Sequence, residues 1–184
     1  MSQLKKWQLL DSQFIVDHRW CRVRRDTVEL PDGTVIDDYF VHVRPEIVYI
    51  LPITCDRKVV FVRQYRHGVQ DIFLELPAGA FNPQQEDGES AAKRELAEET
   101  GYTSPHWEKL TTFFHSPVKD TSKIHLFLAR DVEPTQPQTL DLTEDIEVVL
   151  IPLSDIPQKI HTGDINVSGT IAALFWGLQY VEFH

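Results

Sequence analysis

LPAGAFNPQQEDGESAAKRELAEETGY, residues 76–102, ends in KRELAEETGY, residues 93–102, which puts three glutamates, Glu95, Glu98 and Glu99, in one short stretch that Gly101 closes. Ala91, Ala92, Leu96 and Ala97 favour helix, and Gly101 stands where a C-terminal glycine ends one. A helix is therefore predicted over about residues 87–100. Spacings of three and four residues bring the three glutamates to one side of it, where like charges weaken a helix mildly. The cluster needs a separate account. Carboxylates are the ligands that hard divalent cations such as Mg²⁺ or Mn²⁺ select, and magnesium often shares its shell with substrate phosphates. Three carboxylates on one face suit two or three such ions, which polarise a phosphoryl oxygen and activate a water. The alternative is a solvated acidic face in which Arg94 and Glu98 form an ordinary i,i+4 pair.

The rest of the chain sets the bounds. At 184 residues and 42% hydrophobic it suits one domain with a small terminal extension. Its formal net charge of −10 argues against gripping nucleic acid or an anionic membrane by charge alone. Cys21 and Cys55 form no C-x-x-C pair, so they are expected to be reduced core residues, and a cytoplasmic setting is expected. IVYILPI and IAALFWGL are too short to span a bilayer.

WCRVRRDTVEL and TVIDDYFVHVR flank Pro31-Asp32-Gly33 and predict a hairpin over residues 20–44. IVYILPIT and KVVFVRQY, joined across Cys55-Asp56-Arg57, predict a second. IFLEL, WEKLTTFF, KIHLFLA and IEVVLIPL add strands. Further helices are expected after Ser154 and over residues 169–180, the latter with Ile171, Leu174, Phe175 and Leu178 as its core face. Many strands and few helices in mixed order indicate α+β, or an α/β/α sandwich.

Residues 76–102 resemble the Nudix box, G-x5-E-x7-R-E-U-x-E-E-x-G-U with U a bulky apolar residue. Arg94, Glu95, Leu96, Glu98, Glu99, Gly101 and Tyr102 complete its second half, and seven residues separate Glu86 from Arg94 as the pattern requires. The first half departs: six residues separate Gly79 from Glu86 where the family has five, and Gln85 stands where glycine is common. Over nearly its whole length the chain resembles the ADP-ribose pyrophosphatase branch of the Nudix hydrolases. VRQYRHGVQDIFLELPAG, residues 62–79, is similar to that branch's lead-in, and Pro117 lies sixteen residues beyond Gly101. The branch often reads S-P-G-x-S-x-E after the box; here Val118 follows Ser116-Pro117, and Ser122 replaces the glutamate.

The resemblance implies a Nudix fold over residues 45–184, with the box at 79–102, and an antiparallel β extension over 1–44 of the kind commonly used for dimerisation. It implies that Glu95, Glu98, Glu99 and the Ala78 carbonyl hold two or three Mg²⁺ or Mn²⁺ ions, while Arg94 orients the glutamates. Glu86 is an anchor of the helix, a residue at the edge of the metal site, or an exposed loop acid. The base is expected at Glu144, with Asp141, Asp145 and the box glutamates, Glu98 among them, as rivals. Arg63 and Arg66 are candidate substrate contacts, as is Trp20, which aligns with an adenine-stacking aromatic; Tyr39 is offset by one from a second such place. Hairpin core or a dimer interface is the plainer role for both aromatics. His67 and His115 carry no defensible ligand spacing. The implied activity is cleavage of ADP-ribose to AMP and ribose 5-phosphate by a homodimer. The alternatives are another sugar nucleotide, FAD or NADH as substrate, or a non-catalytic ADP-ribose sensor.

Overall fold

The structure, a computed structural model, describes residues 4–183. The chain up to Pro45, together with Phe114–Lys123, forms one compact unit, and Glu46–Phe113 with the chain from Ile124 onward forms a second.

In the first unit, β1 (Gln8–His18), β2 (Cys21–Glu29) and β3 (Val35–His42) make an antiparallel sheet in that order. The predicted hairpin is β2–β3. Its turn closes through the Gly33 amide on the Leu30 carbonyl, with Gly33 at φ 85°, and through Asp32 accepting from the Thr34 amide. Strand β1 had no sequence signal. Phe14, Ile15 and Val16 are consecutive and all exposed, so alternation is lost, and the pairing with β2 shifts register at Leu9/Asp11 and Phe14/Val16. Backbone bonds between His42 and Lys119 and between Thr121 and His42, with the Arg44–Asp120 ion pair at 3.2 Å, bind Phe114–Lys123 to β3.

The second unit is built on a mixed sheet ordered β12-β5-β4-β10-β9, from β4 (Glu46–Ile53), β5 (Lys58–Arg66), β9 (His106–Phe114), β10 (Lys123–Arg130) and β12 (Ile146–Pro152). β6 (Asp71–Glu75) pairs with β5 and β7 (Ala78–Phe81) with β4, while β8 (Tyr102–Thr103) and β11 (Glu133–Pro134) form a separate small pair. β4 and β10 run parallel; β4 and β5 pair only at Ile53↔Val59, at the turn that joins them, and elsewhere take different partners. The helices are α1 (Gly88–Thr100), α2 (Ile156–Thr162) and α3 (Ser168–Phe183).

Strand alternation sorts the core into two layers. Val48 and Ile50 of β4, Val60 of β5 and Phe127 of β10 pack with Ala91, Ala92 and Leu96 of α1. Leu51, Phe61, Leu126 and Leu128 face the other way, toward Ile156, Ala173 and Leu174 of α2 and α3. This is the expected α/β/α sandwich.

Two expectations need correction. Of the predicted face of α3, Leu174 is buried and Ile171 and Leu178 pack against the same core, but Phe175 is 59% exposed; the fully buried stripe is Thr170, Ala173, Leu174 and Gly177, offset from the predicted one. Gly177 explains the offset, because a β-carbon there would lie 2.3 Å from Leu51, so the helix seats its smallest residue on the sheet. Cys21 and Cys55 are both free and exposed, at the start of β2 and in the β4–β5 turn, and neither belongs to the core. Among the described residues no helix is long and apolar enough to cross a membrane.

Candidate active site

Helix α1 is fixed at both ends by side chains and backbone of its own segment. Asp87 is the N-cap, accepting at 3.0 Å from the amides of Glu89 and Ser90, and Gly101 closes the other end at φ 75° with its amide on the Ala97 carbonyl. Because Ala91, Ala92 and Leu96 must face the sheet, Glu95 and Glu99 are carried inward with them and are buried, whereas Glu98 stays half-exposed. The acidic face is therefore not a solvated one.

Arg94 joins three of the carboxylates. Its Nη1 donates to Glu95 Oε1 at 2.8 Å and to Glu98 Oε2 at 2.9 Å, and its Nε and Nη2 donate to the two oxygens of Glu86 at 3.2 and 3.0 Å. The hydrogen bonds it donates to Glu86 lead in pushing its pKa further above the ordinary arginine value, against partial burial, with Glu95 and Glu98 adding to the effect. The loop insertion is absorbed before Glu86: the Asn82 carbonyl accepts from the amides of Gln85 and Glu86, and the Asn82 side chain accepts from Gln84. Glu86 is thus an anchor of Arg94.

The Pro77-Ala78-Gly79 turn lies directly on the carboxylates. The Ala78 amide donates to Glu99 Oε2 at 3.1 Å, and a β-carbon on Gly79 would fall 1.8 Å from the Glu95 carboxyl carbon. Burial pushes Glu99 up to about 8, the Ala78 amide opposing and the charges of Glu95 and Glu144 reinforcing. Glu95 is raised as well, chiefly by burial, with Arg94 acting against it and Glu98 and Glu144 adding to it. The site carries more carboxylate than its own cations neutralise. Among the described residues no three His, Cys, Asp or Glu side chains already converge as a metal-holding group, since Arg94 takes one oxygen each of Glu95 and Glu98.

Glu144 sits in a tight turn where its Oε2 accepts from the Asp141 amide and its own amide donates to the Asp141 carbonyl, both at 2.9 Å. Its charge is felt at both buried glutamates.

The two arginines of VRQYR separate. Three residues apart on β5, they point to opposite faces of the sheet. Arg66 shares the parity of Val60, on the α1 side, and its charge acts on Glu99. Arg63 shares the parity of Phe61 and pairs at the surface with Glu147 at 2.9 Å. Arg66 donates to both oxygens of buried Glu75, at 2.7 and 3.1 Å. Burial works against its charge, but the bonds to Glu75 outweigh it and the pKa moves up. Sequence reading passed over Glu75, although an acid between Leu74 and Leu76 in an apolar strand is a signal of a paired buried charge.

In the N-terminal unit Trp20 is 70% exposed, with the Arg19 guanidinium 4.9 Å from its ring centre. Tyr39 donates to the Val118 carbonyl at 2.6 Å and meets Trp7 edge-on. Ser122, at the place of the branch's glutamate, is buried, and its hydroxyl finds no hydrogen-bond partner among the described residues. His67 and His115 are exposed.

Comparison with known proteins places this arrangement. Residues 43–169 match the NUDIX domain, and residues 7–42 match the nucleoside diphosphate sugar hydrolase N-terminal domain. The chain is 32% identical over 158 residues to the ADP-ribose pyrophosphatase of Bacillus subtilis, covering 85% of this chain and 82% of the relative. It is 31% identical over 183 residues to the methanol dehydrogenase activator of Bacillus methanolicus, covering 99% and 96%. A crystal structure of an ADP compounds hydrolase superposes with a TM-score of 0.87 at 26% identity, covering 99% of this chain and 97% of that one. With the box glutamates, their arginine and the layered fold all in place, the chain belongs to the Nudix family of hydrolases.

Proposed function

We propose that this protein is a divalent-metal-dependent diphosphatase acting on nucleoside diphosphates linked to a sugar, with ADP-ribose, cleaved to AMP and ribose 5-phosphate, as its leading substrate. The observation that carries the reading is the pair of buried glutamates, Glu95 and Glu99, pressed against the Ala78-Gly79 backbone with too little positive charge around them. Nudix hydrolases use divalent metal ions, and this all-oxygen donor set fits hard ones. Glu95, Glu98 and Glu99, with the Ala78 carbonyl, hold two or three Mg²⁺ or Mn²⁺. When bound, these ions neutralise the diphosphate and polarise its phosphoryl oxygens.

The chain's own residues do the rest. Arg94, held by Glu86, sets the directions of Glu95 and Glu98. Arg66, gripped through Nε and Nη2 by Glu75, keeps Nη1 for a substrate oxygen on the α1 side of the sheet. Glu144 takes the proton from the attacking water. That water adds to one phosphorus, the bridging P–O bond breaks, and each product leaves as a phosphate monoester. Trp20 offers a face for adenine, and Arg63 is a weaker candidate because its strand parity turns it away. The reading includes a homodimer formed through the extension at residues 1–44, where β1 exposes Leu9, Leu10, Phe14 and Ile15, and a cytoplasmic setting.

The test is phosphate-monoester release, coupled to an added phosphatase, from ADP-ribose, GDP-mannose, FAD, NADH and diadenosine polyphosphates with Mg²⁺ or Mn²⁺. Turnover led by ADP-ribose and lost in Glu98→Gln supports the proposal. No turnover of any substrate, with metal-dependent ADP-ribose binding retained, would replace it with a sensor.

A further inference from the structure

Beyond β11 the chain crosses the C-terminal end of α1. The amides of Thr135 and Gln136 donate to the Gly101 carbonyl at 3.0 and 3.3 Å, and the Thr139 amide donates to the Glu98 carbonyl at 2.9 Å. These contacts use carbonyls that the end of a helix leaves without partners. They also demand a glycine at 101, because a β-carbon there would lie 2.2 Å from the Gln136 carbonyl oxygen. The last glycine of the box is therefore both the helix cap and the seat of the crossing segment.

Gln138 completes the attachment. Its Nε2 donates to the Glu99 carbonyl at 2.6 Å and to the Ile146 carbonyl at 3.2 Å. Glu99 is a residue of the acidic helix and Ile146 is the first residue of β12, so one amide group ties helix, loop entry and loop exit together. Between the tied points lie residues 139–145, with Glu144 in the Asp141–Glu144 turn. Gln138 itself remains largely exposed, and it fills no core space that would account for it.

We infer that Gln138 is a positioning residue: by bridging the backbone of Glu99 and Ile146 it holds the loop that carries Glu144 in register with the glutamates of α1. The inference rests on the proposed role of Glu144 as base. A loop free to move by about 1 Å loses on the order of 100-fold in rate when its side chain must meet a reacting atom.

Two substitutions separate bonding from bulk. Gln138→Leu removes both donors, and Gln138→Glu keeps the shape while setting a carboxylate against two carbonyls. Both are expected to lower kcat about 10- to 100-fold with KM within about twofold. Neither is expected to lower kcat further in a Glu144→Gln background. In metal-free protein, hydrogen exchange at the amides of Thr139 and Glu144 should quicken while the amides of α1 stay protected. Wild-type kcat in both variants would overturn the inference, as would equal losses with and without Glu144, which would mean that Gln138 acts through the fold at large. Full activity in Glu144→Gln alone would bring down the base assignment; a loss there beside an intact Gln138→Glu would bring down only the positioning role.

Discussion

Gly79→Ala tests the site through a single carbon. Gly79 lies in β7 opposite Val48, outside the left-handed region, so alanine suits the backbone there and slightly reduces the entropy lost on folding. The added β-carbon would fall 1.8 Å from the Glu95 carboxyl carbon and 2.0 and 2.2 Å from its oxygens. Carbon atoms come to rest at about 3.5 Å, so the carboxylate must retreat by about 1.7 Å. It has little room: Glu95 is buried, and Arg94 holds one of its oxygens at 2.8 Å. Moving the flexible end of one side chain and weakening one charge-assisted bond costs about 1–3 kcal/mol, which a folded domain survives. With Glu95 in its proposed role as a metal ligand, the same displacement costs about 100-fold in rate. The expected variant is folded, melts within a few degrees of wild type and has metal-dependent kcat reduced about 100-fold, with weakened Mn²⁺ binding by electron paramagnetic resonance. Gly68→Ala, which meets open space, is the control and should behave as wild type. Wild-type kcat in Gly79→Ala would refute the placement of Glu95 against this turn as the core of the site.

Other expectations follow from the same geometry. Glu99 keeps its proton in the folded metal-free protein up to about pH 8 and loses it near pH 4.5 when unfolded. Stability in chelator should therefore fall as pH rises through that window, relative to Glu99→Gln, by about 1 kcal/mol per pH unit, read from urea midpoints; parallel curves would contradict it. Glu75→Gln loosens the grip on Arg66, so KM for ADP-ribose should rise about tenfold with a smaller change in kcat, whereas Arg63→Ala should stay within about threefold; steady-state kinetics decides between them. Arg94→Lys keeps the charge but cannot span Glu86, Glu95 and Glu98 together, and kcat should drop at least tenfold. Charged substitutions on β1, Phe14→Glu with Ile15→Lys, should convert a dimer to monomer by sedimentation velocity if the extension is the interface.

What could be read in advance depended on whether a residue's partner was near in sequence. The acidic helix announced itself because its cap, apolar face and glutamates lie within fifteen residues, and spacing alone sets their faces. Runs of β-branched and apolar residues likewise gave β4, β5 and β10 as strands, and in the fold their alternation packs both sides. Where the deciding contact is distant, the sequence misled. Nothing local marks the approach of Gly177 to Leu51 that turns Phe175 outward, and β1 lacks alternation because its apolar side chains meet no core. Arg63 and Arg66 look equivalent in VRQYR until parity and pairing separate them, one to Glu147 and the other to Glu75.

The extra residue before Glu86 shows why the strongest motif tolerated an imperfect match. A pattern of fixed spacings treats the stretch from Gly79 to Glu86 as one length, but the fold divides it into two parts with different demands. At one end Gly79 must approach Glu95 closely, and β7 fixes it through its ladder with β4. At the other end Glu86 must reach Arg94, and α1 fixes its distance through Asp87. Between them Asn82 gathers the amides of Gln84, Gln85 and Glu86, so an added residue enlarges a turn without moving either end. Loop lengthening of this kind costs only tenths of a kcal/mol in closure entropy. The half of the box that admits no such slack is residues 94–101, because there each side chain's direction is set by helical phase, and one inserted residue would turn Glu98 and Glu99 by about 100° away from Glu95 and the Ala78-Gly79 backbone.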